Sequence, residues 1–256
     1  MTPQPVRAFP VEKLRVEVYE SEEALGQAAA ALVEKNLQAA VSDRGEANLI
    51  LATGTSQLTF LDALKGRAID WNKITVFHLD EYRDLSGDHP ASFRRYLREK
   101  ILDAVQPKRA FLINGNADDP QREMEDYASE LRKRSIDIAC IGIGENGHIA
   151  FNDPPVADFN DAQLVKEVEL DERCRMQQVN EGWFPSLEEA PRRAITLTIP
   201  AIMRCKVISC VVPGERKAEA VRNALHGPLS TSCPASILRR HDHATLMLDP
   251  DSAADS

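Results

Sequence analysis

The chain alternates between short apolar runs and longer segments with helical spacing. Residues 14–19, 47–52 (ANLILA), 73–79 (KITVFHL), 136–142, 194–199, 206–212 and 244–248 are rich in Ile, Val and Leu. Polar or glycine-containing turns bound them, so they read as buried strands. Between them, residues 22–40, 57–65, 91–103, 121–134 and 215–225 carry helix formers. Ser21 is placed to cap the first of these helices, and Pro90 lies just ahead of the third. Apolar strands separated by helices predict βα units and a mainly parallel sheet covered on both faces. Ligands of such sheets bind beyond the carboxyl ends of the strands. Four strand ends run straight into polar, charged or glycine-rich loops, after Leu51, Leu79, Gly142 and Val212. Residues 154–193 fit neither period; they mix Pro, Trp and charge and read as a loop, an insertion or a lid. No repeat or linker divides the chain, so 1–256 reads as one domain.

Composition removes several classes. With 43% hydrophobic and 28% charged residues, the chain is neither disordered nor a fibrous repeat. No apolar run reaches bilayer length, and the leading MTPQPVRAFPVEK lacks the apolar core of a signal peptide. The net charge of −9 leaves only short basic clusters, at 132–134 and 239–240, which read as solvated faces and helix ends. Neither nucleic acid nor an anionic membrane is expected as a partner. Five cysteines, none in a CxxC pair, fit buried thiols in a reducing cytoplasm. His241-Asp242-His243 puts two imidazoles on one face without a third ligand. It reads as a surface strand start, and no metal is expected.

Four segments could carry chemistry. Thr53-Gly54-Thr55-Ser56 joins a strand to a helix, where small residues let the backbone approach an anion. A plain capped turn is the competing reading. Asp80-Glu81 at a strand end can supply a general base, or can be a solvated acidic loop. In GIGENGHIAFNDPP, residues 142–155, Gly142, Gly144 and Gly147 allow tight turns with backbone N–H groups facing a ligand. His148 there has Glu145, Asn146 and Asp153 as nearby partners, which suits acid/base work or simply a satisfied loop histidine. Lys217, in the first turn after Pro213-Gly214-Glu215-Arg216, is placed to reach a phosphate or to belong to a helix-start charge cluster.

Taken in order, LATGTS, FHLDEYRDLSGDHPASF, GIGENGHIAFNDP, ITLTIPAI, VVPGERKAEAV and GPLSTSCPASIL resemble the glucosamine-6-phosphate deaminase (isomerase) family. That family lies within the wider group that includes 6-phosphogluconolactonase, and the resemblance spans roughly residues 51–249. It implies a three-layer α/β/α sandwich with a mainly parallel Rossmann-like sheet. It further implies conversion of glucosamine 6-phosphate and water to fructose 6-phosphate and ammonia, with no cofactor and no metal. On this resemblance Asp80 is the base that moves a proton between sugar carbons 2 and 1 through an enolamine. His148 assists ring opening, with Asn146 and Asp153 standing where the family often has Asp and Glu. Gly54, Thr55, Ser56 and Lys217 would hold the phosphate, and Thr53, Glu81 and Gly147 join them as substrate-binding candidates. Arg175 is the candidate for the family's phosphate-binding arginine, with Gln177 or Gln178 as weaker substitutes.

The DEY segment and GHIAFN favour the deaminase branch, since lactonases typically follow Gly-His with Thr-Ala-Ser. The alternatives are a 6-phosphogluconolactonase, with His148 activating water, and a non-catalytic sugar-phosphate sensor. The presence of both Asp80 and His148, with no helix-turn-helix ahead of Leu14, weighs against the sensor. The expected partner is a small sugar phosphate. Family members differ in oligomeric state, so a homo-oligomer is compatible with the resemblance.

Overall fold

The computed structural model describes residues 2–254 and 256. Its strands in chain order are β1 (Arg7–Val11), β2 (Leu14–Val18), β3 (Ala47–Leu51), β4 (Ile74–His78), β5 (Asp80–Tyr82) and β6 (Arg109–Phe111). They continue as β7 (Ile138–Ile141), β8 (Val165–Glu169), β9 (Arg193–Leu197), β10 (Val207–Val212) and β11 (Ala244–Leu248). The helices are α1 (Glu22–Arg44), α2 (Leu58–Lys65), α3 (Phe93–Leu97), α4 (Asp103–Val105), α5 (Pro120–Arg132), α6 (Glu172–Asn180), α7 (Ile199–Met203) and α8 (Ala218–His226).

The main sheet has the order β1-β2-β11-β10-β7-β3-β4-β6. Every pair in it is parallel except the β1–β2 hairpin at one edge. Its central strands are apolar at nearly every position because both faces are covered. Alternation divides them: Leu49 and Leu51 pack with α1 and α2 on one face, while Ile50 packs with α5, α7 and α8 on the other. This is the expected three-layer α/β/α sandwich. Helix α1 starts where its sequence says it should, with Ser21 Oγ accepting from the Ala24 N–H at 3.1 Å. It ends at Gly45, in the left-handed conformation at φ 84°.

From β3 the chain moves outward to β4 and β6; β7 then returns to the other side of β3, and β10 and β11 build away from it. The crevice between β3 and β7, at their carboxyl ends, is therefore a topological switch point.

Several expectations change in detail. Residues 194–199 do contain strand β9, but β9 leaves the main sheet and pairs antiparallel with β5 and β8. That small sheet encloses an aromatic cluster of Tyr82, Phe93, Phe151 and Phe184. Residues 154–193 hold β8 and α6, so they are not wholly irregular. The 91–103 helix begins at Phe93 behind Ser92 and passes through a π-helical turn, Arg98–Leu102. Arg239 is buried rather than solvated; its guanidinium donates to the carbonyls of Leu225, Gly227 and Ser236. His241 is also buried, with Nε2 2.8 Å from the Cys205 carbonyl, so the His241–His243 pair is not a surface strand start. No helix among the described residues is long and apolar enough to cross a membrane.

Candidate active site

Two turns of similar build form one end of the crevice. After β3, Gly54 takes φ +105°, a conformation that favours glycine, and a helical turn at Thr55–Gln57 leads into α2. After β10, Gly214 takes φ +92°, and Glu215–Lys217 leads into α8. The Tyr96 hydroxyl holds the Gly54 carbonyl at 2.7 Å, and the Asp249 carboxylate holds the Gly214 N–H at 3.0 Å. Gln57 ties the two turns together, donating from Nε2 to Ser56 Oγ at 3.0 Å and to the Val211 carbonyl at 3.3 Å.

Thr53, Gly54, Thr55, Ser56 and Lys217 all line the crevice. Lys217 is buried, and its ammonium has no hydrogen bond or ion pair among the described residues; its backbone N–H donates to the Gly214 carbonyl at 3.0 Å. Burial pushes its pKa down, while Glu181 and Glu145 pull it back up. A desolvated ammonium without a partner is unfavourable by itself and well suited to receive an anion.

The other end carries the titratable pair. Asp80, on β5, is 6% exposed and faces the crevice. Its carboxylate also has no hydrogen bond or ion pair among the described residues. Burial, and after it the charges of Glu81 and Asp153, push its pKa well above the ordinary carboxylate range. His148 reaches the same crevice from the loop after β7. Its ring lies against Gly144, where a Cβ would fall 2.2 Å from Nε2, so no side chain fits at 144.

The His148 N–H donates to Asn146 Oδ1 at 3.0 Å, and His148 Nδ1 lies 2.7 Å from Asp153 Oδ1. The ring nitrogen does not point straight at that oxygen, so the contact is short but is not a linear hydrogen bond. Asn146 Nδ2 donates to the same Asp153 oxygen at 2.9 Å, and the Asp171 N–H donates to Oδ2 at 3.2 Å. Burial raises the Asp153 pKa, but the His148 charge and these donors outweigh it and hold the carboxyl low. Asp153 thus stays ionised beside the imidazole.

Cys174, buried on α6, adjoins Asp153, and burial pushes its pKa up. Donor atoms of His148, Asp153 and Cys174 lie within 4.8 Å of one another, close enough to share a metal ion, although the His148–Asp153 contact already engages two of them.

Three expected binding residues lie outside the crevice lining. The Glu81 carboxylate is turned away and accepts from Ser92 Oγ and from the N–H groups of Phe93 and Arg94 at the start of α3. Gly147 forms a turn at φ +85° and packs on Cys233; it is Gly144 that meets the ring. Arg175 donates to the carbonyls of Pro191, Leu187 and Ala190 and braces the chain after α6. No arginine lines the crevice among the described residues. Gln177 and Gln178 do line it, from the inner face of α6, and Glu181 follows them at its end. Glu181 was not anticipated from the sequence. A polar residue one helical turn beyond two inward-facing glutamines was the available signal.

Comparison with known proteins shows the family and the fold. The structure superimposes on that of a monomeric glucosamine-6-phosphate deaminase with a TM-score of 0.86 and 32% identity, covering 94% of this chain and 99% of the other. A 6-phosphogluconolactonase from Shewanella baltica shares the fold at a TM-score of 0.78 and 21% identity, covering 94% and 99%. A glucosamine-6-phosphate deaminase from Exiguobacterium sibiricum is 40% identical over 204 residues, 80% of this chain and 79% of the relative. One from Bacillus cytotoxicus is 34% identical over 239 residues, 93% and 88% of the two chains. The family model described as glucosamine-6-phosphate isomerases/6-phosphogluconolactonase matches residues 20–247. The chain belongs to that family.

Proposed function

We propose that this protein is a glucosamine-6-phosphate deaminase, releasing fructose 6-phosphate and ammonia from glucosamine 6-phosphate and water. The observation that carries the reading is the crevice itself. An unpartnered, desolvated carboxylate (Asp80) and His148 backed by the ionised Asp153 stand at one end, and an unpartnered ammonium (Lys217) at the other.

With the phosphate on Lys217 and the Thr53–Ser56 turn, the sugar's reacting carbons extend toward Asp80. A fixed remote anchor converts proton transfer into a local event. His148 takes the proton of the anomeric hydroxyl and returns it to the ring oxygen as the carbon–oxygen bond breaks, and the ionised Asp153 stabilises the imidazolium formed in between. Asn146 holds the loop by accepting from the His148 N–H and donating to Asp153. Asp80 then removes the proton from carbon 2, giving an enolamine, and, its carboxyl proton exchanging with solvent, protonates carbon 1. The resulting imine at carbon 2 adds water and expels ammonia, which balances the reaction. A raised pKa keeps Asp80 a stronger base than an exposed carboxylate and brings it closer to the operating pH.

The reaction belongs to amino-sugar metabolism, and the five free thiols fit a reducing compartment, the cytoplasm. A homo-oligomer remains a separate proposal, since the structural relative described as monomeric has the same fold. The 6-phosphogluconolactonase reading needs His148 and the phosphate anchor but gives Asp80 no task. The test is to incubate the purified protein with glucosamine 6-phosphate and follow both products. Equimolar ammonia and fructose 6-phosphate are expected. Hydrolysis of 6-phosphogluconolactone without ammonia release would overturn the reading.

A further inference from the structure

The phosphate end of the crevice contains a carboxylate. Glu181, at the end of α6, lines both the crevice and the adjoining hollow formed by Thr55, Ser56, Gly214 and Lys217. It is held there by named contacts. Thr55 Oγ1 donates to its Oε2 at 3.3 Å, Trp183 Nε1 donates to the same oxygen at 3.3 Å, and Gln177 Nε2 donates to Oε1 at 2.7 Å. It is also close enough to Lys217 to favour the charged ammonium. The crevice side of the anion subsite therefore holds Lys217 and Glu181, while the adjoining hollow adds Arg216, Glu22 and Glu215. A phosphate dianion entering it gains an ammonium and meets a like charge, while the Thr55 hydroxyl is already engaged.

We propose that Glu181 is a specificity-determining residue that competes with the substrate phosphate for Thr55 and Lys217, so that phosphate binds by displacing the carboxylate from this turn. The proposal rests on the sugar-phosphate reading of the site. In the unliganded protein Glu181 stands in for an anion near Lys217 and favours the charged ammonium against burial. It also makes the phosphate anchor weaker than the number of donors suggests, because each new contact replaces an existing one.

The test is phosphate affinity in Glu181→Gln, which removes the charge and keeps one carbonyl acceptor, facing either Thr55 and Trp183 or Gln177. Inorganic phosphate, titrated calorimetrically into the full chain at fixed ionic strength, is expected to bind on the order of tenfold more tightly to the variant. The KM for glucosamine 6-phosphate should fall in parallel, with the gain in KM rather than kcat. Glu181→Ala is the second variant and should tighten phosphate binding too, although it also loses the Gln177 contact. Equal or weaker phosphate binding in both variants overturns the proposal, because Glu181 would then be ordering Thr55 for the phosphate. Tighter phosphate binding without ammonia release by the wild type would sustain this inference and sink the deaminase reading. Normal ammonia release with unchanged phosphate affinity would do the reverse.

Discussion

Asp80 and Glu81 are consecutive carboxylates on one short strand, both buried, yet their surroundings are opposite. Glu81 points behind the crevice wall. There it accepts from Ser92 Oγ at 2.8 Å, from the N–H groups of Phe93 at 3.1 Å and Arg94 at 2.9 Å, and from Arg94 Nε at 3.2 Å. Asp80 points into the crevice and receives nothing. The cations repeat the contrast: Arg175 is satisfied by three carbonyls, while Lys217 has no partner of its own. Folding satisfies buried polar groups wherever it can, so those left bare in a crevice mark where a ligand completes the structure. The carboxylate behind the wall is fully hydrogen-bonded, and the wall itself carries the charged groups without partners.

Substitutions can break this division. The largest effect belongs to Asp80→Asn, which keeps the shape and removes the base. Its kcat should fall by about 10²–10⁴-fold. Its stability should move the other way. The folded pKa of Asp80 lies above its unfolded value, so the wild type loses stability as pH rises through that interval. Asp80→Asn should therefore melt at a higher temperature than the wild type at pH 8. The gap should close as pH falls below the ordinary carboxylate pKa, as scanning calorimetry at several pH values will record. Lower melting at every pH would show that Asp80 is structural after all.

Glu81→Gln should be the mirror image. Leaving Arg94 and the start of α3 short of a charge costs about 3 kcal/mol, measured by urea unfolding. Turnover of the folded enzyme should fall far less than in Asp80→Asn. Loss of turnover at unchanged stability would erase the comparison. Lys217→Ala should raise KM roughly tenfold with a smaller change in kcat, because a remote phosphate contact is made in both ground and transition states. Steady-state kinetics decide it, and an unchanged KM removes Lys217 from the site. Smallest in the site is Arg175→Met, expected to lower stability by about 1–2 kcal/mol and leave KM within about twofold. A large rise in KM would return Arg175 to the phosphate.

The main sheet was legible because its central strands are continuous apolar runs, and their carboxyl ends announce the crevice. The missed elements lack that signal. Strand β1 contains Pro10 and sits at an exposed edge, and β6 is short and mostly exposed. Helix α6 turns Gln177 and Gln178 inward, so lining the crevice erases the apolar stripe by which a helix is recognised. At the site, residue type located Asp80, His148 and Lys217 but could not orient their neighbours. Successive residues of a strand face opposite ways, so placing Asp80 in the crevice sends Glu81 behind it. Sequence identified residues 80–82 as a loop motif, and only pairing with β9 reveals the strand that separates the two carboxylates. Asp153 was a shorter stand-in for a usual glutamate, and the fold brings its oxygen to 2.7 Å from the imidazole all the same.

The most direct test is to run the reaction in D₂O with wild type and with Asp80→Asn, and to look for deuterium at carbon 1 of the product and carbon 2 of recovered substrate. The wild type should incorporate solvent deuterium. Asp80→Asn should incorporate none while still binding inorganic phosphate with wild-type affinity. Incorporation by Asp80→Asn at the wild-type rate would contradict the assignment of Asp80 as the base.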